Sequence, residues 1–357
     1  MPPANIYQIN WGQVESIVQD EFMPDIQDQV FFGNPIYYRL QKRKKIYYGG
    51  RAIVQALSFT QEGGGGQWWG GVDKMDTRVR NPITAAVFYR KNYSLPIIIT
   101  RDEEDSVGGD TALTTLVKAK MDIGRITAID AIGQAIFNDG TDPKQIGGLQ
   151  HMIRIAPGTS HTYGGITTSS TVNTWWQNQA DNPGSNYVTG ATGNTFAGVR
   201  GFGPIGRMWA RIGRAAGTKN KPTMILSNWG SYQDYHDSLA GTGIGGAASM
   251  AGGQIYMQQD ADLARAGFEN VMYKTAPWVV DERAPHDANN LEQVFMVNEP
   301  SINLVIHGKR NMSFDGWKEP TDQRVRISYI DWSGEMVCSQ RRCMGVINKV
   351  DTTLTSA

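Results

Sequence analysis

The chain has 357 residues, 40% of them apolar, with 34 basic and 34 acidic side chains and a formal net charge of zero. That length buries a substantial core and, at roughly 100–200 residues per domain, points to about two lobes. Zero net charge excludes a molecule drawn as a whole onto nucleic acid or an anionic membrane, so any such contact has to come from a local patch.

In chain order, residues 1–38 mix aromatics, prolines and acids without lasting periodicity, and read as an extended arm that becomes ordered by docking on something else. They lack the basic region and apolar run of a secretory signal, and no stretch of eighteen apolar residues occurs anywhere, so the chain reads as a soluble, cytosol-made protein. The basic run Arg39, Lys42, Arg43, Lys44 and Lys45 follows, and its plainest reading is a solvated face or a partner for nearby acids. Residues 46–60, rich in Tyr, Ile, Val and Phe, predict a strand, and residues 83–100 a second extended run. Between them lies a connection too long for an ordinary loop. It holds Gly63, Gly64, Gly65 and Gly66, the paired Trp68 and Trp69, and the alternating charges Asp73, Lys74, Asp76, Arg78 and Arg80. Large aromatics beside a glycine run seek a partner surface, which makes a projecting arm packed on a neighbouring subunit the expectation and a loop folded back on its own domain the alternative.

Beyond the acids at 102–105, Asp110 is placed to cap the strongest helix, residues 111–137. Leu113, Leu116, Ile123, Ile126, Ile129, Ile132 and Ile136 recur at helical spacing and predict one buried stripe on a rod about 40 Å long. Gly124 and Gly133 inside it predict close approach of another part of the chain, and Asn138, Asp139, Gly140 and Pro143 end it. Residues 141–320 alternate short strands, helices and glycine loops, as an α+β lobe does. Within them, residues 204–215 place Ile205, Met208, Trp209 and Ile212 on one helical face and Arg207, Arg211 and Arg214 on the other. The basic stripe reads as an ordinary surface, or as a contact with a neighbour's acids or with enclosed DNA. Residues 223–227 predict a strand, Asn228 a cap, 232–239 a helix and 241–253 a glycine loop. Extended runs return at 270–280 and 294–305. A closing hairpin pairs 324–332 with 336–347 around Ser333 and Gly334.

Catalytic and cofactor chemistry finds little to stand on. Residues 241–246 match G-x-G-x-x-G, but a helix precedes the match and more glycine follows, so no strand aims it at a pyrophosphate; no phosphate-cradling P-loop occurs. His151, His161, His236, His286 and His307 are scattered, without metal-ligand spacing. Asp234, His236 and Asp237 are too close in sequence to face one another on a helix. A carboxylate pair such as Asp281 and Glu282 could serve a glycosidase, since that reaction needs only two acids held at a fixed separation, and the sequence does not exclude it. Cys338 and Cys343 would lie on opposite faces of a strand, which excludes a disulfide framework. We expect no enzyme, no cofactor, no metal and no membrane contact.

The order of features, and the phrases Asn138-Asp139-Gly140, Gly147-Gly148-Leu149-Gln150-His151-Met152-Ile153, Tyr163-Gly164-Gly165-Ile166 and Asn173-Thr174-Trp175-Trp176, resemble the HK97-fold major capsid proteins of tailed bacteriophages over residues 46–348. The resemblance implies an α+β fold in five parts. Residues 1–45 would be the N-terminal arm and 46–100 an extended E-loop hairpin with flanking P-domain strands. Residues 101–144 would be the P domain with its spine helix at 111–137, residues 145–295 mainly the A domain, and 296–357 returning P-domain strands and the C-terminus. It further implies hexamers and pentamers of an icosahedral head in the virion, assembled in the host cytoplasm around double-stranded DNA. A separate scaffolding protein, a portal and decoration proteins would be the other partners. The tip residues Gly63, Gly64, Gly65, Gly66, Trp68 and Trp69 would touch a neighbouring subunit, and Arg207, Arg211 and Arg214 a neighbour or DNA. An encapsulin-like compartment is the alternative with the same fold; a β-rich carbohydrate-active protein is the alternative from another class.

Overall fold

The computed structural model describes residues 34–59, 68–75, 81–106, 110–181, 202–217, 219–240, 259–286 and 292–350. Helix α1 (Pro35–Gln41) precedes strands β1 (Lys45–Tyr47), β2 (Ala52–Ser58), β3 (Ile83–Tyr89) and β4 (Lys91–Thr100), and then helices α2 (Arg101–Ser106), α3 (Asp110–Ile136) and α4 (Leu149–Met152). Strands β5 (His161–Tyr163), β6 (Ile166–Thr168) and β7 (Gln179–Asp181) lead to helix α5 (Phe202–Ala216), strand β8 (Met224–Ser227) and helices α6 (Trp229–Ala240) and α7 (Ala261–Arg265). The remaining strands are β9 (Asn270–Tyr273), β10 (Ala276–Val280), β11 (Glu292–Val297), β12 (Ile302–Lys318), β13 (Val325–Cys338) and β14 (Gly345–Val350).

Two sheets organise the chain, a four-stranded one in the order β1-β12-β13-β4 and a six-stranded one in the order β7-β14-β11-β8-β10-β9; β2–β3 and β5–β6 are separate ladders. Strand β11 is buried at every position, as a strand covered on both faces must be. Its Phe295 and Val297 join Met224, Leu226 and Val346 in the main core, whereas Val294 and Met296 join Ile225 and Ile347 in a second core. Ile205, Met208, Trp209 and Ile212 of α5 and Tyr232 and Tyr235 of α6 close that second core. The predicted apolar face of α5 is thus the buried one. Each such side chain contributes about 1.5–3 kcal/mol, and slipping the strand by one residue would exchange the two sets. The start of α6 is satisfied less by Asn228 than by the buried Glu292 of β11. Its carboxylate accepts from Gly230 N at 3.1 Å, Ser231 N at 2.8 Å and Ser231 Oγ at 2.6 Å.

The long helix is present, and its buried stripe is only partly the predicted one: Ile132 and Ile136 are buried as expected, Ile123 and Ile126 are not. Val117, Met121, Ala128, Ile132 and Ile136 face the core, Leu116 packs partly against it, and Ile123 and Ile126 are 64% and 60% exposed. The helix carries apolar residues on two faces, and β4 chooses between them: a Cβ on the buried Gly124 would meet Ile97 Cδ1 at 3.4 Å. Gly133 is the more constrained of the two, since a Cβ there would stand 2.5 Å from Arg283 and from Asn34 Oδ1. The face of Gly124 is therefore the contact side, and Ile126, on the opposite face, points outward.

Several strand expectations are corrected. Residues 46–60 split into β1, parallel to β12, and β2, antiparallel to β3, around Gly50 at φ +105°. Residues 83–100 split at Arg90, where the chain leaves the β2–β3 ladder for the four-stranded sheet. The run 270–280 is a hairpin turned at Lys274, φ +53°, and the run 294–305 spans two sheets across a 3-10 turn at Glu299–Ser301. The closing hairpin does not exist. Strand β13 runs straight through Ser333 and Gly334 between β12 and β4, because Gly334 serves a close approach, not a turn: a Cβ there would lie 2.7 Å from Val305 O and 2.9 Å from the Trp332 ring. After a 3-10 turn at Arg341–Cys343, β14 enters the six-stranded sheet instead, antiparallel to β11 and parallel to β7. A division of the chain at 295/296 therefore does not follow the sheets.

Candidate interaction surface

The β2–β3 ladder is two strands wide, and such a ladder is marginal in water unless something covers it. Its base is covered by its own chain. Val87 N donates to Gly164 O at 2.9 Å, Phe88 meets Tyr163 edge-on at 5.1 Å, and Phe59 lies 5.4 Å from Trp175. Gly164, at φ +61°, makes this seat possible, since a Cβ would come within 2.8 Å of Ala86 and Phe88. The outer part is not covered. Trp68 and Val72 are 100% and 98% exposed, and Val54, Trp69, Met75, Ile83 and Tyr89 are also exposed. Between the tryptophans and Met75 the chain makes a small turn, with Gly70 N donating to Asp73 Oδ2 and Asp73 N to Gly70 O, both at 2.9 Å. Hydrophobic side chains gathered in this way mark a surface for another protein.

A cavity of about 220 Å³ lies under the ladder, lined by Phe88, Lys91, His151, Tyr163 and Glu335 among others. Glu335 accepts from Gly147 N at 2.7 Å and Met336 N at 3.1 Å. Burial pushes its carboxyl up to about 7, against the opposing pull of those donors and of Lys91. Beside it, the buried Arg341 donates from Nε to Met152 O at 2.7 Å and stacks its guanidinium 4.9 Å from the Tyr163 ring. His151 and His161 cross edge to face at 5.0 Å, and burial, followed by Arg154, pulls His161 down to about 4. This is a polar girder under the ladder with no nucleophile and base in line. Among the described residues no group of three or more His, Cys, Asp or Glu could hold a metal ion, and no helix is long and apolar enough to cross a membrane.

Of the residues singled out by sequence, Trp68 and Trp69 stand exposed beyond the ladder, while Gly63, Gly64, Gly65 and Gly66 lie outside the described residues, as do the 241–253 glycine loop and residues 1–33. Arg207, Arg211 and Arg214 are exposed on α5 as predicted, but Arg211 is engaged within the chain, donating to Ala180 O at 2.7 Å and reaching the buried carboxylate of Asp181 at 3.3 Å. Cys338 and Cys343 are buried and free. Sequence reasoning missed Ile123 and Ile126, an outward-facing apolar pair at helical spacing; the signal was Gly124, whose side of the helix had to be the contact side.

No protein-family model matches the chain, and no curated protein matches its sequence. Its backbone nevertheless matches the Cyanophage A-1(L) capsid asymmetric unit with a TM-score of 0.59 over 88% of this chain and 92% of that one, at 14% identity. The chain has the HK97-like capsid fold. A chain from Mycobacterium phage Bobi matches with a TM-score of 0.51 over 97% of this chain and 100% of that one at 10% identity, and the capsid of an empty GTA particle with 0.52 over 87% and 89% at 11%. A capsid fold conserved at such identities is kept by which positions are buried, not by which side chains fill them.

Proposed function

We propose that the chain is the major capsid protein of a tailed bacteriophage, forming hexamers and pentamers of an icosahedral head around double-stranded DNA. The observation that carries this reading is the conjunction of a capsid fold spanning most of the chain with an apolar ladder whose outer part its own subunit leaves uncovered. On this reading β2, β3 and the segment between them are the E-loop, with Gly63 to Gly66, Trp68 and Trp69 lying on a neighbouring subunit. Helix α3 is the spine helix, and residues 1–45 are the N-terminal arm. The four-stranded sheet belongs to the P domain. The six-stranded sheet belongs to the A domain, which takes in β14 as well as much of 145–295. Arg207 and Arg214 are contacts to a neighbour or to DNA. A separate scaffolding protein and a portal assist assembly in the host cytoplasm, and decoration proteins bind the finished head in the virion.

The test is negative-stain electron microscopy of the purified protein, expressed alone and with its neighbouring genes, alongside its sedimentation. Uniform shells or hexamer-sized rings support the reading. Shells that hold enzymes in place of DNA select the encapsulin-like alternative, and a strict monomer under both conditions overturns both.

A further inference from the structure

Strand β12 departs from its ladder with β13 between Ile306, opposite Gly334, and Asn311, opposite Trp332, so that residues 307–310 on one strand face Ser333 alone on the other. The extra residues are His307, Gly308, Lys309 and Arg310, and the chain recovers through Met312 at φ +54°. Bulges of this kind re-aim side chains. Here they are extruded beside β1, an edge strand of the sheet, whose Lys45 and Tyr47 pair with Val305 and His307. Tyr48, 73% exposed, lies directly across Gly308, where no Cβ would fit, and Tyr47 meets His307 edge-on at 5.4 Å.

The result is a basic patch from two distant segments, with Lys44, Lys45 and Arg51 on one side and Lys309 and Arg310 on the other. Among the described residues none of the five makes an ion pair, whereas Lys42 just before them is held by Asp262 at 2.6 Å, and Arg39 by Asp260 and Glu299 at 2.8 and 3.1 Å. Arg43 is offset by Glu299. A lysine on an edge strand deters strand-to-strand aggregation, but that role does not explain cations delivered by a bulge in the next strand.

We propose that this edge is a binding surface for the phosphate backbone of double-stranded DNA, with the exposed tyrosine lying against the sugar-phosphate ridge. Resting on the capsid reading, it assigns the β1 edge of the four-stranded sheet to the inner wall of the shell. A chain without net charge has no general pull on DNA, so a local cluster of unneutralised cations is where contact forms. The rival occupant is the acidic helix α2 of a second copy. Two of its four acids are already engaged, Glu103 by Lys120 at 2.8 Å and Glu104 by Arg326 at 3.4 Å, and the remaining Asp102 and Asp105 offer less charge than a duplex does.

The test compares the full-length chain with a Lys44→Gln, Lys45→Gln, Lys309→Gln, Arg310→Gln variant. Unassembled protein is titrated against a fluorescein-labelled random duplex of about 30 base pairs across salt, and assembly is followed by sedimentation and electron microscopy. Four phosphate contacts predict a wild-type affinity that falls on the order of 10²-fold between 50 and 200 mM salt, and a variant that binds at least about tenfold more weakly with a flatter salt dependence. Shells of normal size from the variant accompany that result. Equal DNA binding by the two proteins overturns the proposal, as does a variant that keeps DNA binding and loses shells, the outcome expected if α2 of a second copy is the occupant. Should neither protein form shells while the difference in DNA affinity stands, the surface is upheld and the capsid reading fails.

Discussion

Glu335 is a carboxyl enclosed beneath the β2–β3 ladder, and burial gives its proton a higher affinity in the folded chain than in the unfolded one. A group of this kind stabilises the fold fully below the ordinary glutamate range near pH 4.5 and loses that contribution as pH rises through about 7, by about 3 kcal/mol in all. Glu335→Gln should therefore gain on wild type by that order between pH 5 and 8, read as the difference in melting temperature of the two proteins at each pH. The buried Asp281, pushed up to about 6, acts in the same direction, and His161, pulled down to about 4, in the opposite one, so the paired comparison isolates Glu335 where a wild-type profile alone would not. Gly164 makes a sharper prediction. Alanine there is strained by the positive φ and collides with Ala86 and Phe88, and should cost about 2 kcal/mol in denaturant titration while exposing the ladder to proteolysis.

Helix α3 offers a paired test at the level of the element. Met121→Asp buries an unpaired charge and should cost on the order of 4 kcal/mol or more, giving insoluble chain. Ile126→Asp sits on the exposed face and should change stability by less than about 0.5 kcal/mol, leaving a folded subunit in solution that fails to close shells. Deleting residues 61–74 should have the same outcome as Ile126→Asp, a folded subunit with circular dichroism like wild type and no closed particles in the microscope. The helix itself could be read from its spacing and its breakers, as could α5, where apolar and arginine faces separate cleanly. The choice of buried face on α3 could not, because isoleucines on two sides satisfy the same periodicity and only the glycine opposite β4 decides. The closing hairpin was misread for a related reason. A glycine inside a strand signals either a turn or a close approach, and Gly334 is needed for Val305 and Trp332. The interaction surface was half visible: the tryptophan pair announced itself by size and glycine neighbours, whereas the outward isoleucines look like core residues until the partner sheet is placed.

At the level of the molecule, balanced charge and concentrated apolar exposure set the physics of association. On the capsid reading, contacts made by the exposed Trp68, Val72, Ile123 and Ile126 would gain from excluding water and depend little on screening, so light scattering should show assembly persisting as salt is raised to several times physiological. Attachment through the cations of the β1 edge should fade over the same range, which separates shell closure from cargo retention by salt alone. The six-stranded sheet adds a temporal constraint. Strand β14 lies between β7 and β11, and its first residue, Gly345, comes 164 positions after Asp181 at the end of β7. Until residues 345–350 have emerged from the ribosome, β7 has no neighbour and one edge of β11 stands open. A chain interrupted upstream of that strand therefore never completes this sheet, and on the capsid reading one late strand would act as a proofreading step that keeps unfinished translation products out of the particle.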